Sequence, residues 1–234
     1  MIWLRSLLFN IAFWAWIMVC GVLCAPLLLH KRAARHVPFW WIDGSLFLLR
    51  SITGQDYELR GQENKPSEPA IYAAKHQSAL DTLVLWKELD GPAFVLKKEL
   101  LYFPIFGWYL WRADNIAIDR SAGGKALEQI VAQAGEKMAA GRNVVIFPEG
   151  TRTRPGTHKS YKRGVGVLHE VLKRPLVPIA LNTGMFWGRN AFTKKPGRAV
   201  FHILPAITEP LDAATCRKRI QHQIETASDA LLNA

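Results

Sequence analysis

The stretch NVVIFPEGTR, Asn143 to Arg152, decides how this chain folds. Asn143 to Phe147 has the composition of a strand buried on both faces, and Pro148 ends it. A glutamate, a glycine, a threonine and an arginine follow at once. Polar groups at the C-terminal end of a buried strand stand where an α/β sheet binds its ligand. Gly150 lets the backbone approach closely, Thr151 offers a hydroxyl, and Arg152 offers a planar fork suited to phosphate. A plain turn with a solvated Glu149–Arg152 pair would not account for so much functionality directly after a core strand.

Outward from that strand, apolar runs and amphipathic stretches alternate as an α/β domain requires. Strands are expected near 69–74, 92–96, 115–118, 143–147, 176–181 and 199–204, and helices near 78–88, 99–111, 123–140, 164–173 and 212–232. Gly141 has the position of a helix C-cap. Residues 188–197 read as a surface loop.

The second polar motif, HQSALD from His76 to Asp81, follows the first expected strand. An imidazole can take a proton from an attacking hydroxyl while a carboxylate fixes its tautomer. His76 and Asp81 are five residues apart, about 140° around a helix, so they meet only if His76 lies in the turn before the helix begins. Ser78 followed by Asp81 is a capping-box pattern that permits this, and it also offers a competing account in which Asp81 is only a helix cap. No GxSxG elbow supplies a protein nucleophile, so the nucleophile is expected to be the substrate's own hydroxyl.

With both motifs in hand, the chain resembles the glycerolipid acyltransferases, in particular the bacterial 1-acyl-glycerol-3-phosphate (lysophosphatidic acid) acyltransferases. Four blocks match in order: HQSALD, NIAIDR ending at Arg120, FPEGTR, and VPIA at Val177 to Ala180. KKELLYFPIFGW, Lys97 to Trp108, and YKRG, Tyr161 to Gly164, resemble the segments that follow the first and third blocks. The resemblance covers about 60–205. It implies a mixed, largely parallel sheet flanked by helices. It implies that His76 is the general base and Asp81 its orienting partner, and that Lys97, Arg120 and Arg152 bind the acceptor's phosphate. Glu149, Gly150 and Thr151 would shape the acceptor pocket, and VPIA would close the acyl side. The implied co-substrate is an acyl thioester carried by acyl carrier protein or coenzyme A, with no metal or bound cofactor. The second block departs from the family pattern at Asp114, where glycine is usual, and at Ala117, where a larger apolar residue is usual.

The net charge of +11 fits an anionic partner. No nucleic-acid-binding signature is present, and Arg152, Arg154, Lys159, Lys162 and Arg163 crowd around the FPEGTR loop. A lipid headgroup, the phosphates of coenzyme A or acidic acyl carrier protein would each be drawn there. From Leu7 to Leu29 the only polar side chain is Asn10. Those 23 residues would span roughly 34 Å as a helix, against a hydrocarbon core of about 30 Å. Basic residues at 30–36 and then Phe39, Trp40 and Trp41 mark a membrane interface. The expectation is a membrane anchor over 1–58 and an α/β acyltransferase domain over 59–234. The simpler anchor is one span, and the other is a two-helix hairpin in one leaflet with Trp3 and Arg5 on the enzyme's side. Either places the catalytic domain at the cytoplasmic face of the inner membrane. Cys20, Cys24 and Cys216 have no metal-ligand spacing and read as packing residues.

The expected reaction is acylation of the sn-2 hydroxyl of 1-acyl-glycerol-3-phosphate to phosphatidic acid. The alternatives are the same chemistry on another lysolipid such as a lyso-aminolipid, a lipid hydrolase, or a non-catalytic lipid-binding protein.

Overall fold

The computed structural model describes residues 1–103, 106–119 and 124–233. The described strands are β1 (Gln55–Arg60), β2 (Ile71–Ala74), β3 (Ala93–Lys97), β4 (Ile116–Ile118), β5 (Val144–Ile146), β6 (Leu176–Leu181) and β7 (Gly197–Ile203). They form one sheet in the order β1-β7-β6-β2-β5-β3-β4. From β6 to β4 all neighbours are parallel, β7 runs antiparallel to β6, and β1 runs parallel to β7. The C-terminal ends of five parallel strands therefore share one edge. The connection from β6 to β7 crosses the same edge.

The central strands carry near-continuous apolar runs because helices cover both faces. Alternation along β2 separates two cores. Ile71 and Ala73 pack with α5 (Gly124–Ala139), α6 (Gly164–Leu172) and α7 (Ala213–Ala230), where Ile130, Leu168, Cys216 and Ile220 are buried. Tyr72 and Ala74 face the opposite cluster, which holds Leu80, Val84 and Leu85 of α3 (Ala79–Glu88). Phe9 of α1 (Ile2–Leu23) and Ile42 of α2 (Lys31–Leu48) join that second cluster.

Three elements differ from the sequence expectation. The apolar run Leu7–Leu29 is not one helix: α1 ends at Leu23, and Ala25–Leu29, with Pro26 at its start, is a 3-10 turn. The helix expected over 99–111 is a 3-10 turn, Lys98–Tyr102, followed by α4, Phe106–Arg112. Phe103 between them is extended, with φ −68° and ψ 125°. Pro104 follows it in sequence, and a proline both lacks a donor and disfavours helix at the residue before it. Strand β1 was not expected, because QDYELR offers only Tyr57 and Leu59 as apolar residues. It is an edge strand whose pairing with β7, from Gln55 against Gly197 to Arg60 against His202, needs little burial of its own. It runs across residue 58, where anchor and domain meet in the sequence reading.

Helix α1 is the described helix long and apolar enough to cross a membrane by length and composition. One of its faces is buried at Ser6, Phe9 and Cys20. Another exposes Leu4, Leu7, Leu8, Ile11, Trp14, Met18 and Val22, a continuous apolar stripe at helical spacing. Both ends are fastened. Ser6 Oγ accepts from Lys194 N at 2.9 Å, Lys194 Nζ donates to Asn10 Oδ1 at 2.7 Å, and Trp3 stacks on Phe192. Near the other end Tyr109 Oη of α4 donates to Gly21 O at 3.0 Å. These fastenings lie about 22 Å apart along the helix axis. A helix held at both ends lies along the domain. Alongside it, Trp16 Nε1 of α1 donates to Trp41 O of α2.

Candidate active site

Strand β2 ends at Ala74 and α3 begins after Ser78, so residues 75–78 form the turn that carries His76. Asp81 Oδ2 accepts from three donors: His76 Nδ1 at 2.9 Å, Gln77 N at 2.7 Å and Ser78 N at 2.8 Å. Ser78 Oγ accepts from Leu80 N at 3.1 Å and, with the Asp81 backbone amide, completes a capping box. Asp81 is thus both a helix cap and the hydrogen-bond partner of His76 through one oxygen. Its other oxygen, Oδ1, accepts from Thr183 Oγ1 at 2.5 Å. Asp81 has no exposed surface, while the His76 side chain is 13% exposed. The imidazole stacks on Phe147 with ring centroids 3.8 Å apart. Among the described residues nothing bonds to Nε2, so the ring offers one free nitrogen at a fixed angle.

The helix-start amides of Gln77 and Ser78 are spent on Asp81. Gly150, which adopts φ +70°, donates its own amide to Phe147 O at 2.9 Å.

Glu149 holds the turn from behind. Its Oε2 accepts from His76 N at 2.8 Å, its Oε1 accepts from Thr153 Oγ1 at 2.7 Å, and Lys75 Nζ lies 2.9 Å from Oε1. Burial pushes the Glu149 carboxyl above the ordinary carboxylate range, against the pull of Lys75 and these donors. Lys75, 1% exposed, also donates to both oxygens of Glu225, at 2.8 and 2.6 Å, and to Thr157 O. Thr153 N closes the loop by donating to His76 O at 2.8 Å. Helix α7 is thereby locked to both motifs through one buried ammonium.

Lys75, Thr183 and Glu225 escaped the sequence reading. Thr183 lies three residues after VPIA, and Lys75 directly precedes HQSALD, so proximity to a motif was the available signal. Glu225 lies 150 residues from its partner and left no such signal.

Arg152 is half-buried, and burial lowers its guanidinium below the ordinary range, with the charge of Asp81 opposing the shift and Arg189 adding to it. Thr151 is also half-buried. Lys97 is exposed at the C-terminal end of β3, on the same sheet edge. Arg120 lies outside the described residues. VPIA lies within β6, wholly buried in the sheet, and reaches the site through Asn182 and Thr183 that follow it. Asp114 stands before β4, at the opposite edge. It adopts φ +59°, the left-handed conformation that explains a glycine in the family pattern and that Asp tolerates better than most residues. Burial raises its carboxyl, but Lys137 at 2.7 Å, Arg142 and Arg35 outweigh this and hold it below the ordinary range.

A family model described as Acyltransferase matches residues 56–182. The 1-acyl-sn-glycerol-3-phosphate acyltransferase of Pseudomonas aeruginosa is 38% identical over 207 residues, which are 87% of this chain and 80% of that protein. The chain belongs to the acyltransferase family. The alpha form of the 1-acyl-sn-glycerol-3-phosphate acyltransferase from Homo sapiens is also similar to this acyltransferase, 30% identical over 93% of this chain and 80% of its own length. The fold matches the crystal structure of the 1-acyl-sn-glycerophosphate (LPA) acyltransferase PlsC from Thermotoga maritima with a TM-score of 0.81. That match is at 22% identity and covers 100% of this chain and 99% of that one. In this acyltransferase the HQSALD and FPEGTR blocks meet at one edge of a largely parallel sheet.

Proposed function

We propose that this acyltransferase moves a fatty acyl group from a thioester to the sn-2 hydroxyl of 1-acyl-glycerol-3-phosphate, making phosphatidic acid. The observation that carries the chemistry is His76, with Nδ1 fixed on Asp81 and Nε2 left open. Nε2 removes the proton of the acceptor hydroxyl as its oxygen attacks the thioester carbonyl. Asp81 stabilises the imidazolium that forms. The carbon–sulfur bond then breaks, the thiolate takes that proton from Nε2, and the ester remains. No covalent enzyme intermediate is needed, because the acceptor supplies the nucleophile.

The named relatives act on 1-acyl-sn-glycerol-3-phosphate, and Arg152 gives this chain a half-buried cation beside the base. Lys97 and Arg120 are assigned to the same phosphate with it. Gly150 and Thr151 line the acceptor's approach, while Glu149, enclosed by Lys75, Thr153 and the His76 amide, is a positioning residue. Asp114 stands at the far edge of the sheet from His76, which supports the phosphorylated acceptor over a lyso-aminolipid. The donor is an acyl thioester of acyl carrier protein or of coenzyme A. The exposed stripe of α1 and the exposed aromatics Tyr102, Phe103, Trp108 and Trp111 support seating of the α1–α2 hairpin in the near leaflet, and the basic residues at 30–36 assign the domain to the cytoplasmic side.

The test is transfer of labelled acyl groups from each donor, in detergent micelles, to 1-acyl-glycerol-3-phosphate and to 1-acyl-glycerol. The phosphorylated acceptor should be preferred by at least about tenfold in kcat/KM, the value of a charged hydrogen bond or two. Equal use of both acceptors would contradict the phosphate reading, and release of free fatty acid without an acceptor would favour a hydrolase.

A further inference from the structure

The connection from β6 to β7 is fastened to the catalytic turn ahead of the surface loop at residues 188–197. Thr183 bonds Asp81, and Gly184 N donates to Gln77 Oε1 at 3.0 Å. The 3-10 turn Thr183–Met185, the Lys195 N to Phe186 O bond, and the Ala191 N to Gly188 O bond give the loop a set course. That course delivers Arg189 to the FPEGTR block, where its Nη1 donates to Arg152 O at 3.3 Å.

Two guanidinium groups therefore sit together at the active edge. Among the described residues neither has a carboxylate within ion-pair distance. The carboxylate whose charge Arg152 feels, Asp81, is already committed to four donors. Like charges gathered on a built loop without a counter-ion make a site for an anion. The fork geometry of two arginines suits the oxygens of a phosphoryl group.

We propose that Arg189 is the second cation of a phosphoryl-binding clamp, sharing one phosphate group with Arg152. The proposal rests on the acyl-transfer reading only for the source of that phosphate, which is the acceptor's phosphomonoester or the phosphate of the donor's pantetheine arm.

The clamp is tested with the purified full-length protein, comparing wild type with Arg189→Ala, Arg189→Lys and Arg189→Glu. In the transfer assay, Arg189→Ala should raise KM by about tenfold for one substrate at nearly unchanged kcat. Arg189→Glu should raise it further, and Arg189→Lys should recover part of the loss. A rise confined to 1-acyl-glycerol-3-phosphate assigns the acceptor's phosphate, and a rise confined to the acyl donor assigns the donor's. In parallel, glycerol 3-phosphate should raise the melting temperature of the wild type and leave that of Arg189→Ala and Arg189→Glu unmoved. A thermal shift lost in these variants, in a protein that transfers nothing to lysophosphatidic acid, would keep the clamp and reject the acceptor reading. Both KM values within about twofold of wild type in Ala and Glu variants would overturn it. In a protein without transfer, so would a thermal shift that survives in them or is missing from the wild type.

Discussion

Thr183 Oγ1 donates a 2.5 Å hydrogen bond to Asp81 Oδ1, on the side of the carboxylate that faces away from His76. Both residues are completely buried. The hydroxyl therefore completes the coordination of the group that aims the imidazole. Thr183→Val, nearly isosteric, leaves one buried carboxylate oxygen without a donor and should lower stability by about 1–3 kcal/mol. It should also lower kcat roughly tenfold with little change in KM, because the freed carboxylate no longer holds a single orientation. Thr183→Ser should restore kcat. An equal kcat in wild type and Thr183→Val would show that His76 and Asp81 need no such support.

Lys75 carries one positive charge between two buried carboxylates, so removing it and removing a carboxylate are not equivalent. Glu225→Gln leaves a one-to-one pair of Lys75 with Glu149. Lys75→Met leaves Glu149 and Glu225 buried together and should cost about 3–5 kcal/mol. Burial already holds the Glu149 carboxyl above the ordinary range with Lys75 present. Without that cation it rises further, so the variant keeps its stability in acid, where Glu149 is protonated. It loses that stability as the pH climbs through the raised value. Denaturant titrations of both variants between pH 4 and pH 8 would check the asymmetry. A Lys75→Met protein no less stable than Glu225→Gln at pH 8 would contradict it.

Asp114 trades a strained backbone for three cations. Asp114→Gly relieves the left-handed conformation but forfeits Lys137, Arg142 and Arg35, and these opposing effects are each on the order of 1 kcal/mol. The net stability change should stay within about 1 kcal/mol, and kcat/KM for either acceptor should not move. A changed acceptor preference in this variant would reconnect the far edge of the sheet to the site.

Most helices and strands were legible because burial on both sheet faces leaves unbroken apolar runs at β2, β5 and β6, and because Ser78 and Gly141 punctuate them. His76 and Asp81 were legible because their contact is local, five residues apart across a helix cap. What escaped depended on distance. Glu225 meets Lys75 across 150 residues, and Arg189 reaches Arg152 only because β7 turns back against β6 and brings its loop to the active edge. Strand β1 escaped because an edge strand can be mostly polar and still be held by its ladder. The anchor's course was equally non-local, since composition gives the length of α1 but not the bonds at Lys194 and Tyr109 that lay it along the domain.

The central claim is that Nε2 of His76, aimed by Asp81, takes the acceptor's proton. The most direct measurement is single-turnover acyl transfer to 1-acyl-glycerol-3-phosphate by wild type, His76→Ala and Asp81→Asn, with the folded state of each followed by thermal melting. His76→Ala should lose a factor on the order of 10² to 10⁴ in rate while keeping its fold, and Asp81→Asn a loss of similar order. Transfer by a folded His76→Ala at a rate within about threefold of wild type would contradict the account.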